Sequence, residues 1–144
     1  MKEKEVLFWS IAFPGFGQIL NEKFIKAILF ILLELIINIK GNFNEIIILS
    51  FQGETKKAIL QANYEWLMFY PCLYFFSAWD AYKDAGGGKN NSFFPFVFCA
   101  YFVTLSLIYS SKFPLFGPVW LSMVGVIPGI LVGFLMKRKT KNIP

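Results

Sequence analysis

The stretch AFPGFGQILNEKFIKA, residues 12–27, interrupts an apolar amino-terminal region and decides how the chain begins to fold. Pro14 lacks a backbone N–H, and its ring moves the residue before it away from helical geometry. Gly15 and Gly17 permit tight turns and close backbone approach, and the amide of Gln18 can hydrogen-bond backbone groups that the break leaves free. The stretch therefore predicts a kink followed by a tight helical hairpin.

Polar residues after the break mark the start of the second helix. Asn21 suits a helix start, and Lys23 and Lys26 can hold the hairpin at the anionic headgroups of the cytoplasmic leaflet. We expect a structural turn without a bound ligand at the hairpin residues, which are Pro14, Gly15, Gly17, Gln18, Asn21 and Lys26.

The composition is typical of an integral membrane protein. Of the 144 residues, 56% are apolar and only 16% are charged, which is too few charges for the surface of a soluble domain. Several apolar runs approach the ~20 residues that cross a bilayer. The sequence predicts an all-α integral membrane helical bundle of four to five apolar segments, the first broken or re-entrant at Pro14 and Gly15. The segments are residues 6–20, 24–39, 64–82, 93–110 and 115–136.

The whole chain, residues 1–144, forms one predicted membrane domain. Residues 40–63 are too polar to cross a membrane but too apolar for a free loop. We expect an interfacial, extracytoplasmic stretch there, with one helix or two helices separated by Gly53. The other parts are the PGFGQ hairpin, three further membrane helices and a basic cytoplasmic tail, over residues 1–39, 64–136 and 137–144.

Basic residues near the segment ends predict the orientation. The tail sequence KRKTK places the carboxyl terminus in the cytoplasm. If segment one crosses fully, eight of the 14 Lys and Arg residues lie inside and six outside. If it dips in and returns, Lys2 and Lys4 also lie inside, and the counts become ten and four. The number of basic residues inside favours a re-entrant segment one, and the sequence leaves both alternatives open.

Four polar side chains within or beside the apolar runs are candidates for function, because such groups are costly in a membrane. Glu34 and Asn38 share a helix face, so Asn38, Lys40 or local water can stabilise the acid. Asp80 can pair with Lys83, three positions further on. The candidates are Glu34, Asn38, Glu65 and Asp80.

A glycine repeat in the last segment is the clearest packing signal. Gly125, Gly129 and Gly133 recur every four residues and form a smooth stripe on a helix. Such stripes let helix backbones approach closely in lipid. We expect helix packing at this stripe, against another segment of the chain or, as the alternative, against a second copy. Pro128 predicts a local kink.

The side-chain chemistry favours neither a catalytic site nor a cofactor or metal site. The sequence has no histidine, and Cys72 and Cys99 lie in apolar runs, where buried thiols fill space. The net charge is +5, and the basic residues lie mostly beside apolar segments. We therefore expect anionic lipid headgroups, and no nucleic acid, as partners. A membrane-protein partner or self-association stays open.

The residues PGFGQILN, followed by Lys26 and an apolar run, resemble the opening of the two-transmembrane-helix domain family, whose motif is PGxGQ. The resemblance covers residues 8–38. This chain departs from the family in having Ala27 where the family usually has glycine, and in continuing with three more apolar segments. The resemblance implies a small membrane protein, often bacterial, with no assigned chemistry.

The sequence therefore predicts a small non-catalytic integral membrane protein with a structural, accessory or protein-interaction role in a bacterial cytoplasmic membrane. The alternative is a small transport or permeation component that uses the intramembrane Glu34. A third hypothesis is a lipid-modifying enzyme that uses Glu65 or Asp80.

Overall fold

A computed structural model describes residues 2–89 and 91–141. Helices and turns make up this part of the chain, without strands, which confirms the predicted all-α class. The last three residues of the predicted basic tail, 142–144, lie outside the described residues. The helices are α1 (Lys2–Ala12), α2 (Phe16–Leu20), α3 (Phe24–Gly41), α4 (Phe43–Phe51), α5 (Thr55–Gln61), α6 (Tyr64–Leu67), α7 (Tyr70–Tyr82), α8 (Phe94–Tyr109) and α9 (Gly117–Lys141).

The break between α1 and α2 is a tight turn. Gly15 has a φ of 101°, in the left-handed region that favours glycine. After α2 the chain turns again, and the backbone N–H of Lys23 donates to the carbonyl of Gln18 (2.9 Å) just before α3 begins. Because these turns follow each other within a few residues, α1, α2 and the start of α3 form a compact helical hairpin.

The hairpin begins and finishes at the same end of the bundle. Glu3, at the start of α1, lines a cavity together with Lys137 near the end of α9. Asn21, just after α2, hydrogen-bonds the last turn of α7. The turn between α1 and α2 lies deeper, since the hydroxyl of Tyr74 donates to the carbonyl of Ile11 (2.5 Å). We call this end of the bundle the hairpin end.

The opposite end, here called the α4–α5 end, is formed by the stretch that follows α3. Gly53, with a φ of 79°, separates α4 from α5. The hydroxyl of Thr55 donates to the carbonyl of Pro114 (2.6 Å), and the indole N–H of Trp120 donates to the carbonyl of Ser50 (3.0 Å). These bonds hold α4 and α5 against the start of α9. A buried apolar cluster lies beneath them: Ile46, Ala58, Leu67 and Leu107.

The third apolar run, residues 64–82, is divided into α6 and α7. Pro71 has no N–H to donate, and its ring excludes the carbonyl four residues earlier, at Leu67. Met68 and Phe69 accordingly form a turn between the two helices. α7 is left with 13 residues.

The number of membrane-crossing segments differs from the prediction. The sequence predicts four to five, but within the described residues only Phe94–Lys112 and Gly117–Thr140 combine the length and apolarity needed to cross a membrane. α1 and α7 are too short, with 11 and 13 residues, because Pro14 follows the end of α1 and Pro71 lies in the first turn of α7. α3 has 18 residues but carries three charged side chains: Lys26, Glu34 and Lys40.

Candidate functional site

The hairpin glycines allow α2 to lie directly against its neighbours. A Cβ atom on Gly17 would collide with the hydroxyl of Ser10 and lie 2.7 Å from the Cβ of Ala81. A Cβ atom on Gly15 would lie 2.7 Å from Ile31. Both distances are shorter than van der Waals contact, so α1, α3 and α7 approach α2 and the turn before it closely only because these positions lack side chains.

The two amide side chains of the motif bind the carboxyl-terminal half of α7. Gln18 is fully buried, and its Nε2 donates to the carbonyl of Ser77 (2.9 Å) and to Oδ2 of Asp80 (3.2 Å). Asn21 Nδ2 donates to the carbonyl of Ala81 (2.8 Å). These bonds satisfy the side-chain N–H groups, which burial would otherwise make costly, whereas Oε1 of Gln18 is buried without a hydrogen-bond partner among the described residues.

Lys26 completes the cluster from the first turn of α3. Its Nζ lies 2.7 Å from Oδ1 of Asp80 and 2.8 Å from Oδ2 of Asp84. The two aspartates are mostly covered, with side chains 17% and 21% exposed, whereas the lysine is 42% exposed. The polar clamp is the resulting network, which joins α2 and α3 to the end of α7: Gln18, Asn21, Lys26, Asp80 and Asp84.

The clamp joins residues that were predicted for separate roles, the hairpin residues Gln18, Asn21 and Lys26 and the polar candidate Asp80. Asp80 was expected to pair with Lys83, but it binds Lys26 and Gln18 instead, because the hairpin places both beside it. Asp84 was not among the predicted site residues. The available signal was its position four residues after Asp80, which places the two carboxylates on one face of the chain at the end of α7.

The other polar candidates lie apart from the clamp. Glu34 is only 3% exposed, and its neighbours on α7 include Tyr70 and Tyr74. Its Oε2 has no hydrogen-bond partner among the described residues. Asn38, which shares its helix face, bonds Asn44 instead, through Nδ2 to Oδ1 (3.0 Å). A buried carboxyl between α3 and α7 is thus left without the predicted amide partner.

Glu65 is exposed on α6 near the α4–α5 end, while Asp80 lies at the hairpin end. The two acids are therefore not neighbours. Cys99 is buried as expected, but Cys72 is exposed, in an open groove that residues of α3, α6 and α7 line. Within the described residues no group of three or more His, Cys, Asp and Glu side chains could hold a metal ion.

The glycine stripe of α9 lies against α8. Cβ atoms added to Gly125, Gly129 and Gly133 would each lie 3.0 Å or less from backbone atoms of α8. At Gly129 the distance to the Cα of Cys99 would be 2.6 Å. In the described chain the stripe is therefore occupied by the neighbouring helix of the same molecule.

Comparison of the chain with protein families, with curated proteins and with solved structures finds no match. The resemblance to the PGxGQ family accordingly stays a prediction, and the proposals below depend on the geometry of the chain.

Proposed function

We propose that the chain is a small multi-pass integral membrane protein of a bacterial cytoplasmic membrane, with a non-catalytic structural, accessory or protein-interaction role. The observation that carries this proposal is the exposure of the most apolar helices. The apolar windows of Phe94–Lys112 and Gly117–Thr140 are only 22% and 17% buried inside the protein. The core helix of a soluble protein would be largely covered, so these helices need lipid around them.

Exposed apolar side chains on the other helices support a lipid environment for these helices as well. Ile25 and Ile39 on α3 are 88% and 73% exposed, and Phe76 on α7 is 59% exposed. α3 is about 27 Å long at ~1.5 Å per residue, close to the ~30 Å hydrocarbon core. Lys26 and Lys40 lie near its ends, where long side chains reach the headgroups. The proposed crossings are α3, the α6–α7 pair, α8 and α9.

The charge distribution supports a cytoplasmic hairpin end. The described start of α1, the start of α3, the turn after α7 and the end of α9 meet there, and they carry most of the basic side chains. The other end has Lys40, Lys56, Lys57 and Lys112. Since positively charged loops stay inside, segment one is proposed to dip into the membrane from the cytoplasm and return.

The clamp supports a structural role for the PGFGQ motif. Its lysine, carboxylates and amides bind each other and the carbonyls of α7, so they hold helices together. The test is isolation of the tagged chain from native membranes in mild detergent, beside an unrelated membrane protein with the same tag. A stoichiometric membrane-protein partner, or a cross-linked second copy, supports the proposal. Turnover of a lipid substrate by the purified chain would contradict it.

A second candidate function is ion permeation, favoured by the burial of Glu34 beside Tyr70 and by its unpaired Oε2. Buried acids in membrane helices often lie on ion or proton pathways. Proton or potassium flux into liposomes containing the purified chain tests this function. Flux that Glu34→Gln abolishes and Glu65→Gln preserves would favour permeation. Flux at the background level for the unmodified chain and for both variants would exclude ion permeation.

A further inference from the structure

A groove runs along the bundle between α1, α7, α8 and α9. Its volume is about 460 Å³, within the range of small-molecule sites. Its walls are almost entirely apolar and aromatic, with side chains that include Leu7, Ile11, Phe75, Phe96, Ile130 and Phe134. Ser92, Lys137 and the hydroxyl of Tyr82 give it polar character at the hairpin end, while the hydroxyl of Tyr74, deeper in the groove, is bonded to the carbonyl of Ile11. The groove thus has one polar end.

A second cavity of about 460 Å³ adjoins that polar end and shares Tyr82, Ser92 and Lys137 with the groove. It adds Lys89 and Glu3. The backbone of the glycine turn after α7 forms one wall. Gly87 lies so close to the Tyr82 ring that a Cβ atom would collide with it. Together the two cavities form an amphipathic groove with a charged mouth and an apolar interior.

The length of the groove matches one leaflet of a membrane. Along α9 its wall runs from Lys137 to Val126, which is about 16 Å at ~1.5 Å per residue. Half of the ~30 Å hydrocarbon core is about 15 Å. A chain lying in the groove with its polar group at Lys137 would therefore reach the middle of the bilayer. Tyr74, Phe75 and Val126 also border a deeper cavity of about 180 Å³.

We propose that the amphipathic groove binds one anionic phospholipid. An acyl chain lies between α1 and α9, and Lys89 and Lys137 bind the phosphate. The charges of the mouth favour an anionic headgroup, because two lysines face one carboxylate, Glu3. Arg138 and Lys139, the next residues on α9, are exposed and add positive charge at the same end of the bundle. This inference rests on the proposed membrane location of the chain, with the hairpin end at the cytoplasmic headgroups.

The test is native mass spectrometry of the purified full chain mixed with equal amounts of phosphatidylglycerol and phosphatidylethanolamine. We expect one phosphatidylglycerol per chain, retained in preference to phosphatidylethanolamine. A lysine near a headgroup contributes about a fivefold preference for an anionic lipid. In the double variant Lys89→Gln with Lys137→Gln, the preference for phosphatidylglycerol over phosphatidylethanolamine should therefore fall roughly 25-fold. The matched control is Lys56→Gln with Lys57→Gln, which removes equal charge at the α4–α5 end and should keep the preference.

The apolar half of the groove is tested by Ile130→Trp, which fills it, beside Leu131→Trp, which enlarges an exposed neighbour on α9. Only the first should lower lipid retention, and equal melting temperatures of the two variants would show that both fold. Equal binding of the two lipids by the unmodified chain, or loss of preference in both double variants, would overturn the inference. Recovery of the chain in the soluble cell fraction would instead contradict the membrane proposal itself.

Discussion

At the scale of single residues, Lys26 is the group on which the clamp depends. It is the cation between Asp80 and Asp84, at 2.7 and 2.8 Å. Lys26→Met leaves two carboxylates facing each other, so it should lower the melting temperature in detergent. Because Lys26 is 42% exposed, solvent screens the pair and the expected loss is about 1 kcal/mol. Lys26→Arg should retain most of the stability, since it keeps the charge.

The control for this residue is Lys23→Met, which removes the same charge one turn earlier, outside the clamp. The melting temperature of Lys23→Met should be close to that of the unmodified chain. If both methionine variants lose the same stability, the effect is one of net charge, and the clamp does not tie the hairpin to α7.

At the scale of elements, the contact between α8 and α9 depends on Gly129. Gly129→Leu would place a side chain where the backbone of Cys99 lies, within 2.6 Å of the first added carbon. Overpacking of this kind costs about 1–3 kcal/mol. We expect a lower melting temperature that does not change with protein concentration, because the partner helix belongs to the same chain.

Val124→Leu is the control for this variant, since Val124 is 47% exposed on the same helix and has room for a larger side chain. The melting temperature of Val124→Leu should equal that of the unmodified chain. A Gly129→Leu chain that melts normally but loses cross-linked dimers would mean that the stripe binds a second copy instead.

Local signals explain which elements could be foreseen from the sequence. Proline and glycine act within a few residues, so a break at Pro14, a turn at Gly53 and a stripe through Gly129 could all be expected from the sequence alone. Pro71 gives the same signal, but the continuous apolar run of residues 64–82 predicts one segment there, and the structure divides it into α6 and α7. The clamp could not be foreseen, because Lys26 and Asp80 are 54 positions apart and their meeting depends on how α3 and α7 pack.

At the scale of the whole molecule, the bundle is proposed to span a membrane and the hairpin is proposed only to dip into it. The start of α1 and the end of α9 meet at one end, where Glu3 and Lys137 line the same cavity. A dipping hairpin therefore places these two elements on the cytoplasmic side together. The α4–α5 end, with Lys57, then faces the opposite side of the membrane.

Labelling of single cysteines in intact cells with a membrane-impermeant maleimide tests this topology. The background chain carries Cys72→Ser and Cys99→Ala, and one cysteine is introduced at a time by Lys4→Cys, Lys57→Cys or Lys137→Cys. We predict that only Lys57→Cys is labelled in intact cells, and that all three are labelled after the membrane is permeabilised. Labelling of Lys4→Cys from outside would contradict the account, because segment one would then cross the membrane instead of returning.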